Sequence, residues 1–180
     1  MEFSELAELR QSNRKYDAER PVEREKLERC IETARLSASS NNSQPWHFIV
    51  IDDAAKKKEI EGYAAGFGGM NKFAAQAPVI VAVVLEKPNF LSAMGSVIQD
   101  KEYSLLDMGI AVNQFCLQAA DLGLGTCMIG WFNEKAIKKA LGVPKRLRLP
   151  LIITVGYVAD KHREKIRKAT AEMSSWNEYK

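Results

Sequence analysis

Between Val22 and Leu36 the apolar residues Leu27, Cys30, Ile31 and Ala34 recur at helical spacing. That pattern predicts an amphipathic helix opened by Pro21. A shorter helix is expected over Glu5–Ser12, capped by Ser4, with Leu6 and Leu9 on one side. His47–Asp52 is dense in β-branched and aromatic residues and predicts a strand. Ala77–Leu85 is apolar without alternation, which predicts a strand covered on both faces. The longest helical signal is Tyr103–Gly125. Leu105, Met108, Val112, Phe115 and Ala119 form a stripe there, yet Ile110, Ala111 and Leu117 are apolar too. A helix apolar nearly all round lies in a core or between subunits, and Gly123 and Gly125 end this one.

Asp52 or Asp53 is expected to cap a helix over Ala54–Ala64, and Asn133 one over Glu134–Gly142. Thr126–Trp131 reads as a short strand or turn, and Pro150–Val158 as the last strand. Gly66–Met70 breaks the pattern. Glu86–Glu102 takes no definite form, and a loop or insertion is expected. Helices and strands alternate irregularly without repeats, so the class is α/β or α+β.

The length of 180 residues suits a single domain, residues 1–180, with a sizeable core. A hydrophobic share of 46% and a charged share of 27% are ordinary for a globular protein. A net charge of +3 gives no ground for expecting nucleic acid as a partner. The charge is nonetheless clustered. Asp160–Lys168 holds five lysines and arginines against two acids, and Arg10, Arg14, Lys15 and Arg20 stand near the other end. The two clusters either form separate solvated faces or meet around one anion. Cys30, Cys116 and Cys127 are scattered, without a C-x-x-C, and only two histidines, His47 and His162, are present. A structural metal site is therefore not expected. Free thiols point to the cytoplasm. The N-terminus lacks a secretory pattern, and no apolar run is long enough to span a membrane.

Familiar catalytic motifs are missing from this sequence. The Gly123–Gly130 stretch has the wrong spacing for a dinucleotide fingerprint and follows a helix rather than a strand. No Walker A motif or G-x-S-x-G elbow occurs. Cys127 could be a nucleophile, but it suits a buried small residue better. If the protein is an enzyme, a cofactor supplies the chemistry.

Four segments carry a more specific signal. In RQSNRKY, Arg10, Ser12 and Arg14 alternate, so in an extended chain they face the same way. Two guanidiniums and a hydroxyl could then converge on a phosphate. In SASSNNSQPWHF, Ser37 to Gln44 is polar except for Ala38. Such residues offer donors and acceptors to a mixed-polarity ligand, or they make a polar turn capped by its own side chains. The others are GLGTCMIGWF, Gly123–Phe132, and KIRK, Lys165–Lys168, with the AEMSSWN that follows. In this order the four segments resemble the nitroreductase family of flavin mononucleotide (FMN) enzymes, and the likeness covers nearly the whole chain.

The resemblance implies an α+β sandwich, a mixed and mostly antiparallel sheet flanked by helices, in an intertwined homodimer with FMN at the interface. It places Arg10, Gln11 and Ser12 near the phosphate and ribityl, Arg14 at the N1–C2=O edge of the ring, and Lys165 and Arg167 on the phosphate. Ala38, Ser39 and Ser40 would line the ring of the partner's flavin, with Asn42 and Gln44 on the ribityl and ring edge. Asn71 would bond the pyrimidine side. Ile129, Gly130 and Trp131 would run past the ring, with the Gly130 and Trp131 N–H groups near N5 and O4. Trp131 stands where many relatives have glycine. Residues 159–180 would wrap the partner. The implied activity is ping-pong transfer of hydride from NAD(P)H through flavin N5 to a nitroaromatic, quinone or enone. Two alternatives remain: a flavin-binding, sensing or flavin-fragmenting protein without this turnover, and a cofactor-free module with a basic anion site.

Overall fold

Residues 2–179 are described in a computed structural model of the chain. Four strands form one sheet in the order β1-β2-β4-β3. They are β1 (Trp46–Ile51), β2 (Val79–Leu85), β3 (Gly125–Ile129) and β4 (Arg148–Gly156). All three strand pairings are antiparallel. The one parallel contact among the described residues is a single bridge from Ser12 to Thr126. The sheet is therefore α+β as expected, and its mixed character is confined to that bridge.

β2 is central and buried on both faces, as its unbroken apolar run predicts. Val79, Val81 and Val83 face one core, with α2 (Arg24–Arg35) and α5 (Tyr103–Asp121). Ile80, Ala82 and Val84 face the other, with α3 (Ala54–Ala64) and α6 (Glu134–Ala140). The period of two thus splits one strand between two helical layers. Each fully buried side chain of the size of Ile80, Ile153 or Phe115 contributes about 1.5–3 kcal/mol.

The caps on α3 and α6 follow expectation. Asp53 accepts from the Lys56 N–H at 2.7 Å, and Asn133 from the Ala136 N–H at 3.1 Å. Three elements differ. Helix α1 spans Phe3–Leu9 and is opened by a box between Glu2 and Glu5, not by Ser4. It stops at Arg10 because the next residues pair with β3, where the Asn13 N–H donates to the Thr126 carbonyl at 2.9 Å. The Glu86–Glu102 stretch contains a helix, α4 (Phe90–Gln99). Its N-cap, Asn89, accepts from the Ser92 N–H at 2.9 Å, and it ends at Asp100 in the left-handed region. Helix α5 is not buried all round. Leu106 and Ile110 on its outer side are 60% and 45% exposed in the single chain.

Among the described residues no helix is long and apolar enough to cross a membrane.

Candidate functional site

Segment 10–16 is held extended along the edge strand β3 by backbone pairing and by Tyr16. The Tyr16 hydroxyl donates to the Asn13 carbonyl at 2.8 Å and shares a 2.7 Å hydrogen bond with the Thr154 hydroxyl. Burial pushes this phenol far above its ordinary range, so it stays neutral. Tyr16 also bridges to Val158, just after β4. Its position fixes where Arg14 and Arg10 can reach.

The C-terminal segment lies against this same strip. The Ala159 N–H donates to the Lys15 carbonyl at 3.1 Å, and the Arg163 N–H to the Gln11 side-chain oxygen at 3.2 Å. The Arg163 guanidinium reaches the Ser12 carbonyl at 2.7 Å, and the Lys165 ammonium the Ala7 carbonyl at 2.5 Å. The basic ends therefore meet in space. Partial burial, followed by the nearby Arg10 and Arg167 charges, holds the Lys165 ammonium below its ordinary value; Glu8 opposes this. Among the described residues, Arg10, Arg14, Arg163, Lys165 and Arg167 have no carboxylate within ion-pair distance. Gathered like charges, opposed at Lys165 by Glu8, make this strip electropositive. The two basic segments therefore share one region of the surface and do not form separate faces.

The polar loop is built differently. Its turn, Ser40–Asn42, and the residues just after it keep Asn41, Asn42 and Gln44 at φ of 48°, 51° and 46°. Left-handed conformations are unfavourable for residues with a Cβ, and persist where the surroundings impose them. Two anchors impose them here. Both carboxylate oxygens of Asp107, on buried ground in α5, accept from the Ser40 N–H at 3.1 Å. The Asn89 amide donates to the Asn41 carbonyl at 2.9 Å, and the Ser43 hydroxyl accepts from the Asn89 N–H at 2.9 Å. Within the loop the Gln44 N–H donates to Ser39 Oγ at 3.0 Å, and its side-chain amide to Asn42 Oδ1 at 2.9 Å. In the single chain the loop is thus a self-capped turn. Ala38, Asn42 and Gln44 remain exposed.

Sequence reasoning missed Asp107, Asn89 and Arg163 as residues that hold these segments. Asp107 was the most accessible of the three, since the only other charged residue of its helix is Asp121 at the C-terminal end. Asn89 and Arg163 act through partners 48 and 152 residues away, which no local pattern reports.

At the far end of β3, Gly130 and Trp131 are exposed, and the Ile129 side chain is buried in the α3/α6 core. The Asn71 amide donates to the Trp131 carbonyl at 2.9 Å, which brings these two residues together. Cys127 is buried beside the N-terminal strip, and burial raises its thiol. Cys30 is pushed up to about 12 and Cys116 to about 11 by burial. Protonated, enclosed thiols are poor nucleophiles. The cysteines are packing groups.

Cations and loop stand at opposite ends of α5. Arg10 lines a cavity with Ala120, whereas the loop hangs from Asp107. Thirteen residues of helix separate these points by about 20 Å.

The sequence profile of the Nitroreductase family matches residues 7–68 and 68–157, well over half of the chain. The chain is 27% identical to an oxygen-insensitive NADPH nitroreductase of Helicobacter pylori, over 96% of this chain and 95% of that one. The counterpart from Helicobacter acinonychis is 28% identical with the same coverage. Among solved structures, an FMN-dependent nitroreductase from Clostridium difficile superposes with a TM-score of 0.78. It is 27% identical, with 97% of this chain and 98% of that chain covered.

Proposed function

The chain belongs to the nitroreductase family, and from that premise we propose that it is an FMN-dependent oxidoreductase. It draws on NAD(P)H and reduces small nitroaromatic, quinone or enone acceptors. The observation that carries this reading is the cluster of Arg10, Lys165 and Arg167, assembled from both ends of the chain and without an ion-paired carboxylate among the described residues. A phosphate bearing close to two negative charges answers that cluster.

The remaining residues fit the rest of FMN. Gly130 is exposed and carries no side chain, and a Cβ there would meet only the Pro150 carbonyl oxygen at 3.9 Å, so backbone can approach a flat ring closely. Asn71 and the exposed amides of Asn42 and Gln44 suit a ring edge and a hydroxylated chain. Bound FMN would supply a two-electron carrier between NAD(P)H and the acceptor. The protein's part is to hold the phosphate, orient the ring and place the Arg14 charge at one ring edge, where it favours an electron-rich flavin. The absence of a dinucleotide fingerprint is consistent with a reductant that binds only in passing.

The ribityl chain adjoins the phosphate, so Asn42 and Gln44 must come close to Arg10. In one chain the α5 residues beside them, Asp107 and Ala120, are about 20 Å apart. A second copy in antiparallel orientation would bring its loop to the first copy's cations. The outer face of α5, Leu106 and Ile110, together with Phe90, Val97 and Ile98 of α4, supports such a homodimer. This much exposed apolar surface is unusual on a monomer. Residues beyond Arg167, with Trp176 88% and Tyr179 99% exposed, are then the part of the 159–180 segment that reaches the partner.

The purified protein is expected to be yellow, with near one FMN per chain, and anaerobic NADH or NADPH should bleach it rapidly. A colourless protein that FMN does not reconstitute contradicts the reading. A flavin that stays oxidised with both reductants favours the non-turnover alternative.

A further inference from the structure

A cleft of about 350 Å³ opens beside Trp131, between the end of α3 and the start of α6. Tyr63, Gly66, Phe67, Trp131, Phe132 and Asn133 line it. Three of its aromatic rings are turned outward: Tyr63 is 39% exposed, Phe67 83% and Trp131 65%. Large aromatic faces gathered on one rim leave apolar area in water that packing would ordinarily remove.

The surrounding backbone is fixed. The Asn133 N–H donates to the Tyr63 carbonyl at 3.0 Å, which ties α3 to the exit of β3. Gly66 has a φ of 70°, and a Cβ there would come within 2.7 Å of the Trp131 carbonyl. Asn71 holds that same carbonyl. Trp131 is thus clamped through its main chain while its side chain lines the cleft and stays largely exposed. Gly68 and Gly69, at φ of 66° and 72°, turn the chain directly after Phe67, which also lines the cleft. The cleft begins at the residues assigned to the flavin ring edge, and none of the side chains lining it is charged.

We propose that Trp131, Phe67 and Tyr63 form an aromatic rim that selects flat, electron-poor aromatic acceptors. This rests on the reductase reading above. The uncharged lining favours the acceptor over the reductant as occupant, because NAD(P)H carries phosphates that call for cations. Aromatic rings pair by offset or edge-to-face contact with such acceptors.

The test compares W131L, F67L and W131F with the unaltered holoprotein. The KM for a naphthoquinone or a nitrobenzyl alcohol, divided by that for ferricyanide, should rise about three- to tenfold in W131L and F67L. W131F should restore most of it. Equilibrium dialysis of 4-nitrobenzyl alcohol, without reductant, should weaken by a similar factor. Unchanged ratios and dialysis in W131L and F67L overturn the proposal, as does a rise confined to the KM for NAD(P)H. Because Phe67 is largely exposed, F67L decides the matter even if W131L misfolds. Loss of FMN and of ferricyanide turnover in the unaltered protein would defeat the reductase reading instead, and dialysis would still decide the rim.

Discussion

Replacing Arg10 and Arg167 together by alanine is expected to weaken FMN binding by two to four powers of ten while the chain stays folded. Each charge-assisted contact to a phosphate contributes about 1.5–3 kcal/mol, so two removed together amount to about 3–6 kcal/mol. The fold should survive because neither side chain supports it. Arg10 makes no ion pair among the described residues, and Arg167 reaches only the carbonyl of its own neighbour, Ile166, at 2.7 Å. Removing these charges also relieves Lys165 of like-charge neighbours. Its ammonium should move back toward its ordinary value, and the effect is smaller than one from burial, which is the larger cause. Flavin titration of the apoprotein reads the affinity, and circular dichroism the fold. Unchanged affinity would remove the phosphate assignment.

Asp107→Ala is expected to raise the FMN dissociation constant about 10- to 100-fold, with Asp107→Asn intermediate. The mechanism is indirect. Asp107 touches the loop backbone, and its carboxylate accepts from Ser40 N–H with both oxygens. Asn41, Asn42 and Gln44 hold left-handed backbone that their own preferences oppose. Without the anchor that conformation relaxes, and the exposed amides of Asn42 and Gln44 no longer share one geometry. Faster hydrogen exchange at Ser40 should accompany the loss of affinity. Increased exchange with unaltered flavin binding would mean that the loop lies outside the site.

The elements that the sequence disclosed best are those whose neighbours lie on both sides. β2 is apolar throughout because helices cover both of its faces, and its run of Val79–Leu85 needs no further information. The caps Asp53 and Asn133 act three residues away and are equally local. Helix α4 escaped notice although Asn89 marks its start. Its apolar residues Phe90, Leu91, Val97 and Ile98 are exposed in the single chain, so they do not describe a face packed on the sheet. The cations of the site were visible as residue types, since Arg10, Ser12 and Arg14 alternate. Their convergence with Lys165 and Arg167 depends on Tyr16 and on backbone pairing to β3 and to the C-terminal segment. Asp107 shows the same limit: an acid in an apolar helix signals a partner, and only the fold identifies it as Ser40.

Mixed dimers test the shared site most directly. One variant carries R10A and R167A, and the other has Ser39–Gln44 replaced by glycines; neither alone should hold FMN tightly. If each site joins the cations of one copy to the loop of the other, co-expression rebuilds about one intact site per mixed dimer. The account predicts that purified mixed dimers regain tight FMN binding at that stoichiometry. Mixed dimers as weak as either parent would contradict it, because a site contained within one chain cannot be repaired by its neighbour.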